Sequence, residues 1–251
     1  MGGPASWGEP MAGLADLRAR EEEPFHARPG LLSDFILGSQ DGLVNVLGVL
    51  LGVAVASQNP RIIIAAGLAA TFAESISMAA VAYTSTLARR DHYVGERERE
   101  LREMRDLPDA ERAEVRTVLE AWGLEGETLD TVAKAITSND KAWLEFMMAH
   151  ELNLVPVKAT QPLRSAAVVG VSAILGSIVP LVPFLFLPIF PLGAAVSIAM
   201  SAVVLFALGA YKARTTVGRP SRSGLQIAVI GLAAAAVGFL VGLLFQAPAG
   251  P

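Results

Sequence analysis

Residues 62–104 read IIIAAGLAATFAESISMAAVAYTSTLARRDHYVGERERELREM, and this stretch decides the fold. No proline interrupts it, so it predicts one helix or two nearly collinear helices. At about 1.5 Å per residue, the apolar part, residues 62–88, is roughly 40 Å long, which is enough to cross a bilayer core of about 30 Å. The charged part that follows Arg89 and Arg90 would then project into water.

The composition indicates a membrane protein throughout. Of the 251 residues, 53% are hydrophobic, and the mean hydropathy is +0.48. Apolar segments long enough to cross a bilayer cover residues 33–57, 62–88, 165–187, 192–211 and 225–245. Pro180 and Pro183 are expected to kink the third segment. The sequence therefore predicts an all-α membrane protein with five transmembrane helices.

The segments divide the chain into expected domains. These are a disordered N-terminal tail (1–32), transmembrane helices one and two (33–90), a helical domain in water (91–163), transmembrane helices three to five (164–246) and a C-terminal tail (247–251). The tail contains the mixed-charge run RAREEEP and lacks the apolar core of a signal peptide.

The turn residues of the helical domain predict its helices. One helix is expected to begin after Asp106, which would serve as its N-terminal cap, and to end at Gly123. A short helix is expected after Thr128, and another is expected to begin near residues 138–140. Four large apolar side chains are expected to form its interior: Trp122, Trp143, Leu144 and Phe146.

The charges predict the orientation and exclude some partners. Nineteen of the 20 Lys and Arg residues fall on one side of the predicted spans, and Arg61 is the exception. By the positive-inside rule, the N-terminus and the helical domain are cytoplasmic. Residues 91–163 hold 16 acidic and 9 basic residues, a net charge of −7, so there is no basic stripe for nucleic acid. The absence of cysteine excludes disulfides and thiolate metal sites.

Two acidic residues lie well inside the apolar segments. Glu74 has Met78 four residues later on the same helical face, and Asp41 has Asn45 in the same relation. A carboxylate at membrane depth is costly and usually faces a bundle interior or a wet cavity. Together these groups favour a path for a divalent cation. The alternative is a structural acid, protonated or hydrogen-bonded between helices.

The helical domain has a second pattern of acidic residues. Glu100 and Glu103 are three residues apart, as are Glu111 and Glu114, and the two pairs flank the turn at Pro108. An antiparallel hairpin would bring the pairs together, and a later helix adds three residues: Met147, Met148 and Glu151. The alternative is a solvated surface on which the intervening arginines pair with the glutamates, with both methionines in the core.

Glycines recur at the spacing of close helix packing. The pairs are Gly38 and Gly42, Gly48 and Gly52, and Gly238 and Gly242. Ordinary packing within the bundle is one interpretation. A subunit interface, or space along a pore, is the other interpretation for the first segment.

The sequence lacks the motifs that define several other functional classes. A ferritin-like di-iron centre requires Glu-x-x-His on two helices, and neither His92 nor His150 stands three residues after a glutamate. His26 follows Glu23 at that spacing, but this single occurrence lies in the predicted tail. There is no phosphate-binding loop of an ATP-driven pump and no recognisable Ser/His/Asp arrangement, so an enzyme is not expected.

Four segments carry a family resemblance: SDFILGSQDGLVNVLGVLLGVA, AESISMAAVAYTSTLARRDHY, ERERELREM and FMMAHELNL. With the five-span plan, they identify the chain as similar to the vacuolar iron transporter family, and we expect a bacterial member. The resemblance covers nearly everything from residue 33 to residue 245. Gly95 departs from the pattern and would loosen the junction between the second span and the helical domain.

The resemblance implies a homodimer that moves Fe²⁺, and often Mn²⁺, out of the cytoplasm in exchange for protons. It implies that residues 91–163 are a metal-binding domain with the ligands Glu100, Glu103, Glu111, Glu114, Met147, Met148 and Glu151. It places the transport pathway at Asp41, Glu74 and Met78. No tightly bound cofactor is expected, because the metal is the substrate. A non-transporting metal sensor or buffer is the alternative. The alanine- and arginine-rich composition, with no recognised organelle address, favours a bacterial plasma membrane as the location.

Overall fold

The computed structural model describes residues 29–215 and 218–245, and every regular element within them is helical. The helices are α1 (Pro29–Ser57), α2 (Pro60–Asp106), α3 (Pro108–Ala121), α4 (Gly126–Thr137), α5 (Asp140–Phe146), α6 (Gln161–Phe186), α7 (Ala194–Thr215) and α8 (Pro220–Leu244). There are also two π-helical turns: Met147–Glu151 directly follows α5, and Ile189–Gly193 directly precedes α7. The predicted tails lie largely outside the described residues.

Five of these helices are long and apolar enough to cross a bilayer, which confirms the predicted number of spans. They are α1, α2, α6, α7 and α8. Helix α2 runs without a break through Gly95 for 47 residues, or about 70 Å. Helix α6 likewise continues through Pro180 and Pro183. Helices α3, α4 and α5 lie in sequence between the second and third spans, and we call residues 91–163 the inter-span domain.

The chain forms two compact units, and the first contains the residues up to Thr71 and from Ser172 onward. Its core is an apolar cluster contributed by α1, the start of α2, the end of α6, and α7 and α8. The cluster includes Leu47, Leu50, Ile63, Phe184 and Ala235, all nearly or fully inaccessible to solvent.

Helices α1 and α8 touch through glycines. A β-carbon on Gly238 would overlap the backbone of Gly48, and one on Gly242 would overlap the backbone of Gly52. Gly42 packs in the same way against the carbonyl of Ala173 on α6. These contacts are made within one chain, so they support the interpretation of the glycine pairs as bundle packing.

The second unit, Phe72–Val171, contains most of α2, the inter-span helices and the start of α6. Its apolar core lies in the inter-span domain. The core includes Met104, Val115, Leu119, Leu129, Trp143, Leu144, Met147 and Met148. Trp143 and Leu144 are therefore interior residues, as expected.

Local chemistry explains where the inter-span helices begin and end. Pro108 occupies the first turn of α3, and the cap is Leu107, whose side chain makes no capping hydrogen bond. The prediction of Asp106 as the cap is therefore wrong, because Asp106 is the last residue of α2 and Leu107 holds the cap position of α3. Gly123, with φ +87°, follows α3 and ends it as predicted. Helix α4 begins at Gly126, two residues before Thr128.

The prediction that Trp122 is an interior residue is also wrong. Its side chain is 55% exposed, although it is part of an aromatic group. The Trp122 ring meets the rings of Phe146 and His150 edge-on, at centroid distances of 5.8 and 4.9 Å. The position just before the turn at Gly123 leaves more than half of the residue exposed to solvent.

Candidate metal and transport residues

The junction of α2 and α3 brings the two predicted glutamate pairs together. Helix α2 ends at Asp106 and α3 begins at Pro108, so a single residue separates the helix that carries Glu100 from the helix that carries Glu111. Both glutamates are only 4% exposed. Their carboxyl groups are close enough to share a hydrogen bond. The hairpin expected from the ExxE spacing is therefore present.

Glu151 reaches the same place from the π-helical turn. Its carboxylate is acted on by the charges of Glu114, Glu111 and Glu103. Glu103 also acts on Glu100 and on Glu111. Each of the five predicted glutamates thus interacts electrostatically with at least two of the others. We call Glu100, Glu103, Glu111, Glu114 and Glu151 the glutamate cluster.

Burial and mutual repulsion hold protons in this cluster. Burial, the hydrogen bond to Glu111 and the neighbouring negative charges raise the pKa of Glu100 to about 8. Burial and the charges of Glu114 and Glu111 raise the pKa of Glu151 to about 7. Burial also raises the pKa of Glu111. Near pH 7 the cluster therefore carries fewer negative charges than its five carboxyl groups could supply.

Two oxygens of the cluster lack a hydrogen-bond partner. Oε1 of Glu100 and Oε2 of Glu111 are buried and make no hydrogen bond in the described part of the chain. A buried polar atom without a partner costs about 1–3 kcal/mol, and more when it is charged. A cation bound between α2 and α3 would satisfy both oxygens.

The cluster is not arranged as a finished metal site. Across residues 29–215 and 218–245, no group of three or more His, Asp or Glu side chains is positioned to hold a metal ion. Glu103 is instead paired with Arg99, whose guanidinium donates to its carboxylate oxygen at 3.1 Å. Metal binding would require side chains to move from these positions.

Met147 and Met148 are core residues in this arrangement. Both are at most 2% exposed and belong to the apolar cluster with Met104 and Val115. They lie in the same π-helical turn as Glu151, and such turns are frequent at functional sites. The core interpretation is therefore confirmed for their packing, while a role as sulfur ligands stays a prediction.

The predicted pathway residues lie in two different units. Glu74 and Met78 are half-buried, one turn apart on α2. Next to Glu74, the buried Ser75 hydroxyl donates to the Gly170 carbonyl at 2.8 Å, so this side of α2 packs against the start of α6. Asp41 is half-buried on α1, and Asn45 is exposed. Their role in transport stays a prediction.

The fold and the site define a class of protein: a helical membrane protein of five candidate spans, with an acidic helical domain between the second and third. The profile of the VIT family matches residues 32–243, and the chain belongs to this family.

Its relatives include proteins from plants and from a parasite. Vacuolar iron transporter 2 of Oryza sativa subsp. japonica is 36% identical over 209 residues, which is 83% of this chain and 85% of that protein. Vacuolar iron transporter 1 of Tulipa gesneriana is 32% identical over 94% of this chain and 96% of that protein. The vacuolar iron transporter of Plasmodium falciparum (isolate 3D7) is 26% identical over 86% of this chain and 82% of that protein.

Proposed function

We propose that this protein transports Fe²⁺, and related divalent ions such as Mn²⁺, out of the cytoplasm in exchange for protons. Its relatives carry the name of iron transporters and match it over most of their length. The observation that carries the proposal is the glutamate cluster, in which Glu100 and Glu111 each bury an oxygen without a partner.

The cluster would capture the ion. The net charge of −7 in residues 91–163 raises the local concentration of cations. The entering ion replaces protons held by Glu100 and Glu151, and the carboxylates become its ligands. Carboxylate oxygens bind hard and intermediate cations, while the thioethers of Met147 and Met148 add affinity for softer ions such as Fe²⁺.

The pathway in the membrane would carry the ion from the cluster across the bilayer. Glu74, Met78 and Asp41 are its proposed residues, in a homodimer with the path between subunits. Proton exchange follows if one carboxylate cannot hold a proton and a metal ion at once. Glu74 is the better candidate for this step, because it is the more deeply placed of the two acids in its apolar segment.

The orientation and the location belong to the same proposal. The loop charges favour an N-terminus and an inter-span domain in the cytoplasm. The composition favours the plasma membrane of a bacterium, whereas the plant and parasite relatives are named for the vacuole. Fractionation of the source cells, followed by immunodetection, distinguishes a vacuolar from a plasma membrane.

Calorimetry on the purified full-length protein tests the site. Replacing Glu100 and Glu111 by Gln should weaken Mn²⁺ binding at least tenfold, because the ion loses the two buried carboxylates. Glu120→Gln is the matched control, since Glu120 is an exposed residue of α3 outside the cluster. Unchanged affinity in the double variant contradicts the site. Binding without flux in proteoliposomes identifies a sensor or buffer instead.

A further inference from the structure

Arg99 connects the glutamate cluster to a residue outside it. Its Nε donates to Oε1 of Glu103 at 3.1 Å, and its Nη1 lies 3.4 Å from Oε2 of Glu96. The three residues follow one another along a single face of α2. The guanidinium is thus held between one cluster carboxylate and one neighbouring carboxylate.

The neighbouring arginines of α2 do not share this position. Arg97 and Arg102 are exposed, and in the described residues neither forms an ion pair with a carboxylate. Arg105 donates to the carbonyl of Leu101. Arg99 is therefore distinguished from the arginines around it by its contact with the cluster, although all of them have the same charge.

We propose that Arg99 is a tethered competitor of the metal ion: it neutralises Glu103 while the cluster is empty and must release Glu103 when a divalent ion binds. This inference rests on the proposed function of the cluster. An arginine is charged at every working pH, so it can occupy a carboxylate without itself taking up or releasing a proton.

The exposure of the pair makes the competition weak and reversible. The Arg99 side chain is 58% exposed, and exposed ion pairs of this kind stabilise only modestly. Such a contact can be displaced by a divalent ion and can re-form when the ion leaves. Arg99 therefore disfavours the metal-bound state and assists release.

A reversible contact between Arg99 and Glu103 is well suited to a transporter. A site in a transport path must bind strongly enough to capture the ion and weakly enough to pass it on. A cation attached to the site provides this balance, because it returns to Glu103 as the metal departs. Removing it should give tighter binding and slower release.

The test is calorimetric titration of the purified full-length protein with Mn²⁺ alone, at fixed pH and salt. Arg99→Gln should bind Mn²⁺ about two- to fivefold more tightly than the wild type. Arg97→Gln and Arg102→Gln remove the same charge from the same helix without removing the contact, so they report the general electrostatic effect. Arg99→Lys retains a charge near Glu103 and should fall between the wild type and Arg99→Gln.

A double-mutant cycle makes the assignment specific. In a Glu103→Gln background, Arg99→Gln should no longer increase Mn²⁺ affinity, because the carboxylate for which arginine competes is gone. A merely structural role of Arg99 would change thermal stability without this dependence on Glu103. The inference is overturned if Arg99→Gln matches the two control variants, or if it weakens Mn²⁺ binding.

The same titrations separate this inference from the proposed function. If the Glu100→Gln, Glu111→Gln variant binds Mn²⁺ like the wild type, the proposed site is wrong and the inference falls with it. If that variant loses binding but Arg99→Gln behaves like Arg102→Gln, the site stands and the competitor role of Arg99 is wrong.

Discussion

The carboxyl groups of Glu100 on α2 and Glu111 on α3 lie within hydrogen-bonding reach of each other in the inter-span domain, and each residue is only 4% exposed. Two carboxyl groups in such a contact need a proton between them or a cation beside them. Each residue also buries one oxygen that has no partner in the described residues. This pair therefore stores free energy that a bound divalent ion can release.

The pair makes the stability of the metal-free protein depend on pH. The pKa of Glu100 is raised in the folded protein to about 8 from a usual value of 4.5. Its stabilising contribution is therefore fully present below pH 4.5 and is lost as the pH rises through 8. We expect the apparent melting temperature of the metal-free protein to rise between pH 9 and pH 6. Glu100→Gln should reduce this slope, and Glu120→Gln should leave it unchanged; equal slopes in both variants contradict the assignment.

Metal affinity should depend on pH in the opposite direction. The pKa values of Glu100 and Glu151, about 8 and about 7, mean that protons compete with the ion in this range. We expect Mn²⁺ to bind more weakly at pH 6 than at pH 8, with on the order of one proton released per ion at pH 7. Calorimetry in buffers of different ionisation enthalpy measures this release. Binding without proton release would show that the cluster is already ionised.

The glycine contact between α1 and α8 should tolerate no side chain. Gly238→Ala would place a methyl group against the backbone of Gly48, and overpacking of this kind costs about 1–3 kcal/mol. Gly95→Ala is the matched control, because nothing lies within 4 Å of its β-position on α2. It should be neutral or stabilise the helix by about 0.5–1 kcal/mol. Thermal unfolding in detergent measures both changes, and equal stability of the two variants would contradict the close contact.

The two interpretations of Met147 and Met148 can be separated by leucine. Replacing both by Leu keeps their volume, so the loss of stability should stay below about 1.5 kcal/mol per residue. If the sulfurs are also ligands, the double variant should lose its preference for Co²⁺ over Mg²⁺, because carboxylates alone favour harder ions. Competition titrations measure this preference. An unchanged preference would leave both methionines as core residues alone.

Most of the fold could be predicted because it depends on local signals. The five spans follow from apolar runs whose length matches the bilayer, and Gly123 ends α3 through its backbone freedom. The errors arose where two local signals compete. Asp106 resembles a cap, but Pro108 already fills the first turn of α3. Trp122 is a large apolar residue, yet the turn beside it leaves it exposed.

The candidate site could be predicted in part for a similar reason. The spacing of Glu100 and Glu103, with Glu111 beyond the turn, was sufficient to predict their convergence. Sequence patterns also suggested that arginines could pair with these glutamates. They could not identify Arg99 as the arginine that contacts Glu103, because this depends on side-chain geometry in three dimensions. They could not show which carboxyl oxygens are left without a partner either.

Metal flux into proteoliposomes tests the central claim most directly. The protein is reconstituted with an acidic interior, and Fe²⁺ uptake is followed under reducing conditions in the wild type, Glu74→Gln and the control Glu120→Gln. We expect uptake by the wild type and by Glu120→Gln that increases with the pH gradient, and little uptake by Glu74→Gln. Wild-type uptake no greater than that of empty liposomes, or Glu74→Gln uptake with unchanged rate and pH dependence, would contradict the account.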